Sequence, residues 1–304
     1  MTHVIISTTL NRYLMRFSVR ESLGYVRAAG YGACGLNFGE KKSPLDTTQG
    51  ISSYSLEDIK AAAADNGIDI FQTHAQYFPS VDRYGADYEE AFIDYTCRQL
   101  EATEYLGARF MTVHPLQPYH WESDPEPERT RDMNVRVLSA ILDKTRGSEV
   151  ALALENMPAD RENIPCSTIK SLLSFIHGVG DPRLTVCFDT GHANVSAANT
   201  SKGDTPEKYV GALGSLISCL HIHDNSAEHD DHALPYVPAR GGIRWDKLLP
   251  ALRKSGYTGT FNSEADFAVK FPDGAFLAAE KFQYDLFLTM TAGWSSKDNA
   301  NASF

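Results

Sequence analysis

The sequence lacks the marks of several protein classes. No stretch reaches the roughly 18 uninterrupted apolar residues of a membrane-spanning helix. The opening Met1-Thr-His-Val-Ile-Ile-Ser has no basic segment followed by a long apolar run, so no secretory signal is expected. Cysteine is sparse. Cys34, Cys97, Cys166, Cys187 and Cys219 are scattered, odd in number and free of any Cys-x-x-Cys pair, which points to reduced thiols in a cytoplasmic protein. Cys187, inside a strand-like run, is expected to be buried and inert. Without a secretion signal, Asn194-Val-Ser and Asn301-Ala-Ser are chance matches to a glycosylation pattern. Positive charge is also short: 28 Lys and Arg face 39 Asp and Glu, for a net charge of −11. No Lys/Arg-rich run builds a basic groove, so nucleic acid is not the expected partner. A Gly-rich phosphate turn after the first strand is missing, which disfavours a doubly wound dinucleotide fold. No Ser/His/Asp or Cys/His nucleophile pattern stands out.

What is present is a globular composition: 304 residues, 42% apolar and 22% charged, with 15 Phe, 14 Tyr and 3 Trp. Short apolar runs rich in Val, Ile, Leu and Phe recur along the chain. They predict strands at His3–Ser7, Ala33–Phe38, Ile68–His74, Arg109–His114, Val150–Glu155, Leu184–Asp189, Ser218–His223 and Thr258–Glu264. Helical stretches lie between them. One opens at Ser55 and stops at Asn66-Gly67, and another runs from Asp87 to Leu106 before Gly107. Others are Glu128–Thr145, Ser167–His177, Pro206–Ile217 with Thr205 as cap, Trp245–Lys254 and Ala275–Met290. Alternating strands and helices imply parallel βαβ units, and eight of them close a (β/α)₈ TIM barrel, an α/β fold. The barrel is expected over residues 1–293, with a polar C-terminal tail at 294–304. The loops after the fourth and seventh strands, Pro115–Pro127 and Asp224–Arg244, are long, and loops that follow strands carry a barrel's active site.

The strand ends carry the chemistry. The third ends in His74, the fourth in His114, the fifth in Glu155 and the sixth in Asp189 followed by His192. The seventh offers His221 and His223, and the eighth ends in Glu264. A single His or carboxylate there is ordinarily a hydrogen-bonded structural residue or a helix cap. The joint pattern is different. Of ten histidines, six (His74, His114, His192, His221, His223 and His232) fall at strand ends or in the loop after the seventh strand. All these ends meet at one mouth, where buried carboxylates and imidazoles need partners or a metal.

The ordered series Thr73-His-Ala, Val113-His-Pro, Leu154-Glu-Asn, Phe188-Asp-Thr-Gly-His, Leu220-His-Ile-His-Asp-Asn, Asp230-Asp-His-Ala-Leu-Pro and Ser263-Glu-Ala resembles the xylose isomerase-like TIM barrel superfamily. That group holds sugar phosphate isomerases and epimerases and also endonuclease IV. The resemblance implies one divalent cation (Mn²⁺, Co²⁺ or Mg²⁺) on Glu155, Asp189, His221 and Glu264, with His223 a competitor of His221. It further implies Glu155 and Glu264 as the acid/base pair of a sugar isomerase or epimerase that works through an enediolate, with an inosose-type dehydratase on the same residues as a variant. His192, His114 and His74 then face the substrate, a small sugar, with Trp121 and Arg240 as loop candidates beside them; the oligomeric state stays open, a homodimer being one option. Endonuclease IV implies an alternative. Its three-zinc pattern adds His74, His114, His192, Asp230 and His232 as ligands, for phosphodiester cleavage at abasic sites. Two departures stand out. The ketose epimerases carry an Arg soon after the seventh-strand His, where Asn225-Ser-Ala-Glu-His has none, and Leu234-Pro-Tyr-Val-Pro-Ala-Arg-Gly-Gly carries an insertion. Arg240 or Arg244 is the candidate replacement. Tyr13, Phe38, Tyr77 and Phe78 follow early strands and are candidates to narrow the mouth.

Overall fold

The computed structural model describes residues 4–38, 55–76, 87–117 and 124–294. Eight parallel strands line up as β1 (Ile5–Thr9), β2 (Ala33–Asn37), β3 (Asp69–His74), β4 (Phe110–Val113), β5 (Ala151–Glu155), β6 (Leu184–Asp189), β7 (Ile217–His221) and β8 (Thr260–Ser263). Each pairs with its sequence neighbour, and β8 returns to pair with β1. A parallel bridge between Ile222, just past β7, and Ser263 in β8 closes the ring, backed by Ile222 N–H donating to Asn262 O (2.8 Å) and Glu264 N–H to Ile222 O (3.0 Å). The fold is the (β/α)₈ barrel, and every strand lies within about two residues of its sequence assignment.

The strands are apolar throughout because both their faces are buried. One face packs on the helices: Leu152, Leu154, Val186, Phe188 and Leu220 join the main core there. The other face fills the barrel, where Ala153, Cys187 and Cys219 form a separate small cluster with Phe110. The interior also holds polar contacts, such as Ser7 Oγ donating to Asn262 Oδ1 at 2.9 Å.

The helices follow local signals. α1 (Asn11–Leu14) and α2 (Val19–Ala29) fill the space between β1 and β2, where the sequence assigns no helix. The signal for α2 is nonetheless in the sequence. Ser18 and Glu21 make a reciprocal capping box, and Gly30 at φ +114° ends the helix. α3 (Leu56–Asn66) starts at Ser55, whose Oγ accepts from Asp58 N–H (3.0 Å), and stops at Gly67. α4 (Tyr88–Leu106), α5 (Pro127–Lys144) and α6 (Ile169–Val179) follow. α7 (Thr190–Asn199), also unassigned by sequence, starts directly from β6 with Asp189 as its cap. α8 (Pro206–Leu213) is shorter than expected: Gly214 breaks it, and its cap Thr205 makes no side-chain bond. α9 (Trp245–Lys254) matches its assignment, and α10 (Asp273–Met290) completes the shell. Trp294, at the head of the expected tail, is buried against Phe261.

Candidate metal centre

The strand ends deliver their side chains to one place. Glu155, the last residue of β5, is 1% exposed, and both its oxygens are engaged. Oε2 accepts from His114 Nε2 (2.8 Å) and lies 3.1 Å from His74 Nε2, while Oε1 accepts from His221 Nδ1 (2.8 Å). Asp189 closes β6. Its Oδ1 accepts from His192 N–H at 2.7 Å, capping α7, and His223 Nε2 lies 3.1 Å from its Oδ2. Glu264, just past β8, comes within 3.5 Å of His221 Nδ1. Asp230 Oδ2 sits 3.2 Å from both His192 Nε2 and His232 Nε2. The donor atoms fall into overlapping close groups: His74/His114/Glu155, Asp189/His221/Glu264, Glu155/Asp189/His192 and His192/His223/Asp230/His232, each within 4.8 Å. His223 meets Asp189 at 3.0 Å, while His221 meets Glu155 at 2.8 Å and also comes within 3.9 Å of Asp189, so both imidazoles reach that carboxylate.

Four imidazoles share a further arrangement. The Nδ1 of His74, His192, His223 and His232 lies 2.7, 2.8, 3.4 and 2.9 Å from the backbone carbonyls of Ala75, Asn156, Asp224 and Glu264. A carbonyl only accepts, so Nδ1 carries the proton. The Nε2 of each ring then faces a carboxylate, which also only accepts. A neutral ring cannot satisfy both sides. Either the ring is an imidazolium, or a cation sits between Nε2 and the carboxylate. A carbonyl on one nitrogen that presents the other's lone pair is how metal-binding histidines are oriented. The donor set fits a divalent cation on this ground. His232 is moreover held at φ +46°, a left-handed conformation uncommon for a residue other than glycine and one that turns up at functional sites.

Charge is tightly balanced here. Burial alone would raise the Glu155 and Asp189 pKa values, but the surrounding imidazoles hold both below the ordinary carboxylate range: His221 and His114 for Glu155, His192 and His223 for Asp189. Burial alone would lower the histidines. Asp189 and Asp230 nevertheless push His192 up, Glu264 and Glu155 push His221 to about 10, and Asp230 pushes His232 to about 9. For His114 burial prevails, and its pKa falls.

A sequence profile of the xylose isomerase-like TIM barrel family matches residues 23–279. The chain belongs to that family. A probable endonuclease 4 of Shouchella clausii is 29% identical over 218 residues, 67% of this chain and 71% of the relative. An uncharacterized protein of Methanocaldococcus jannaschii is 28% identical over 169 residues, 54% of this chain but only 53% of the relative. Among solved structures, a D-tagatose 3-epimerase-like protein superposes with a TM-score of 0.73 at 18% identity, covering 94% of this chain and 98% of its own. An L-ribulose 3-epimerase gives 0.72 at 15% identity, over 99% and 98%.

In this xylose isomerase-like barrel some sequence candidates stand apart from the centre. Arg240 is exposed, without a hydrogen bond or ion pair among the described residues, and Arg244 pairs with Asp246 at 2.7 Å on the surface. Tyr13 and Phe38 turn into the core instead of narrowing the mouth, because each is wholly buried. Trp121, Tyr77 and Phe78 lie outside the described residues. Other residues enter that the sequence did not flag. Arg12, in α1, donates to Asp266 Oδ1 (2.8 Å) and to the carbonyls of Ser263 and Glu264, fixing the chain at Glu264. Asn156 exchanges hydrogen bonds with the Asp189 backbone (2.8 and 2.9 Å) and aligns β5 with β6.

The glycine of the Asp-Thr-Gly-His motif has a steric reason. A Cβ at Gly191 would come within 2.0 Å of His223 Cε1. Gly191→Ala is expected to displace His223, lower stability by about 1–3 kcal/mol and reduce the metal bound per chain. Thermal melts and elemental analysis check this, and unchanged values for both would refute it. The loop after β7 is tied down by Asp224, which accepts from Asn225 N–H (2.9 Å), Ile243 N–H (2.9 Å) and Trp245 Nε1 (2.7 Å). Trp245→Phe removes one charged, buried hydrogen bond and is expected to cost about 1.5–3 kcal/mol, read from the urea midpoint.

Proposed function

We propose that this protein is a multinuclear metal-dependent hydrolase of phosphate esters. One observation carries the reading: Glu155 is shared, one oxygen held by His74 and His114 and the other by His221, so a single carboxylate joins two donor groups. A centre for one ion does not need that. His74, His114 and Glu155 would hold one ion, Glu155, Asp189, His221 and Glu264 a second, and His192, Asp230 and His232 a third. A donor set with five imidazoles favours Zn²⁺. When bound, such ions polarise a phosphoryl oxygen and make water more acidic. The side chains of Glu264 and Asp230 are 11% and 29% exposed, against 1% for Glu155. They are therefore the carboxylates placed to take a proton from an attacking water at Glu264 Oε1 or at Asp230. Curated relatives named probable endonuclease 4 support the reading.

A second reading, a sugar isomerase or epimerase with one ion on Glu155, Asp189, His221 and Glu264, is favoured by the net charge of −11. That reading needs Glu155 and Glu264 each to move a proton at a substrate carbon, and the commitment of both Glu155 oxygens to imidazoles weighs against it.

Elemental analysis of the untagged protein separates the two, followed by paired assays. The hydrolase reading expects two or three Zn per chain and cleavage of a phosphodiester, tested first on an abasic-site duplex and on a small aryl phosphodiester. A single Mn, Co or Mg per chain, with exchange of the α-proton of a ketose and no phosphoester cleavage, would overturn it.

A further inference from the structure

Arg12 reaches further into the centre than its grip on the chain at Glu264. It lies in α1, shortly after β1, and is only 8% exposed. Pairing of β1 with β8 sets Thr8 beside Ser263, which brings the guanidinium against the segment that follows β8. Three of its nitrogens are engaged there. Nε donates to Asp266 Oδ1 (2.8 Å), Nη1 to Ser263 O (3.4 Å) and Nη2 to Glu264 O. The Glu264 carbonyl has a second partner, His232 Nδ1 at 2.9 Å, so Arg12 and His232 share one oxygen. The opposite ring nitrogen, Nε2, faces Asp230 Oδ2 at 3.2 Å. Asp266 closes the circuit. Its N–H donates to His232 O at 2.7 Å and so holds the backbone of a residue at φ +46°. Glu264 and His232 belong to different donor groups, yet one guanidinium stands behind both.

We propose that Arg12 is a positioning residue for the metal centre, one that sets Glu264 and His232 as a single unit. A carbonyl oxygen offers two lone pairs. Arg12 takes one and the His232 ring the other, so the guanidinium fixes the oxygen that orients the ring. The three acceptors suit a rigid planar fork, whereas an ammonium on a flexible stem is a point charge that cannot meet all three at once. Groups that stand behind metal-binding side chains orient them, and losing one typically costs about 10–100-fold in metal affinity. The part played through His232 rests on the multinuclear reading. The part played through Glu264 holds for one ion or for three.

The probe is Zn²⁺, titrated into the chelator-stripped full-length protein in competition with a chromophoric chelator, for wild type and R12K. Where the wild type binds two or more ions, R12K is expected to keep the ion on His74, His114 and Glu155 and to weaken the others by about 10–100-fold. Unchanged affinities, or an equal loss at every ion, overturn the proposal. Where the wild type binds one ion, the hydrolase reading falls, and Arg12 is judged through Glu264: R12K should weaken that ion by the same factor, and an unchanged affinity overturns the proposal. Histidine ¹⁵N spectra of the stripped protein give a second readout. The Nδ1 signal of His232 should move in R12K while that of His74, bound to the Ala75 carbonyl, stays. A His232 signal that does not move overturns the proposal. Should R12K not fold, D266A takes its place, at a side chain that is 47% exposed. It is expected to weaken the same ions by about tenfold, and unchanged affinities there overturn the proposal.

Discussion

Glu155→Gln is expected to lose at least two of the bound ions and to lower turnover by about 10³-fold, roughly 4 kcal/mol of barrier. The cause is the sharing of this one carboxylate. An amide cannot bridge two groups of imidazoles with two anionic oxygens, and its NH₂ would face His74 and His114 or His221 as a donor against donors. The metal-free protein suffers as well. Removing one partner from a buried charge cluster costs about 3–5 kcal/mol, and Glu155 is the counter-charge that helps to keep His221 protonated. Glu264→Gln is the comparison. Glu264 belongs to only one of the donor groups, so that variant is expected to keep the ion on His74, His114 and Glu155. Elemental analysis of the two variants side by side tests the bridge directly, and equal metal content in both would refute it.

Stripping the metal with a chelator is expected to lower the melting temperature by roughly 4 °C for each ion removed. An ion held at about a hundred times its Kd adds about 2.7 kcal/mol to the folded state, and an unfolding entropy of about 2 cal/mol/K per residue over 304 residues turns that into about 4 °C. The effect has a pH dependence whose sign can be worked out. In the metal-free protein His221 sits near 10 and His232 near 9, both above the value of about 6.5 in an unfolded chain. Their charged contacts therefore stabilise the metal-free fold fully below about pH 6.5. That contribution fades as pH rises through 9 to 10. The metal-loaded fold needs the same rings deprotonated, so rising pH removes the competing protons. The difference in melting temperature between loaded and stripped protein should widen from pH 6 to pH 9. Loading at pH 7 should also release protons, measurable as a dependence of the binding heat on buffer ionisation. A gap that narrows with pH would contradict the balance described here.

The barrel was legible in the sequence because each strand is a short apolar run ending in a polar residue, and a run that is apolar on both faces has few other fates. α2 was harder to read, since its buried positions Val19, Leu23 and Val26 make only a thin stripe among charged residues, although its capping box was there to find. The strand-end donors were legible for the same reason as the strands. Their grouping was not. Which imidazole meets which carboxylate depends on side-chain torsions and on carbonyls such as those of Ala75 and Glu264, which no motif records. Arg12 was invisible for a related reason: its partners are Asp266 and two carbonyls at the far end of the chain. Tyr13 misled because a residue that follows a strand can turn outward onto the helices, where it meets Phe276 edge-on at 5.1 Å.

The pairing of β8 with β1 has a consequence for assembly. Ile5 lies beside Thr260, and Glu264 follows β8 directly, so the last donor reaches its place only when the two ends of the barrel meet. Contacts of such sequence separation are the slow ones to form. A nascent chain still lacking β8 presents an incomplete set of ligands, and so does one whose seam has opened. On the proposed function, metal capture would belong to the end of folding, and bound ions would act as a latch on the seam. They should slow unfolding far more than they speed folding.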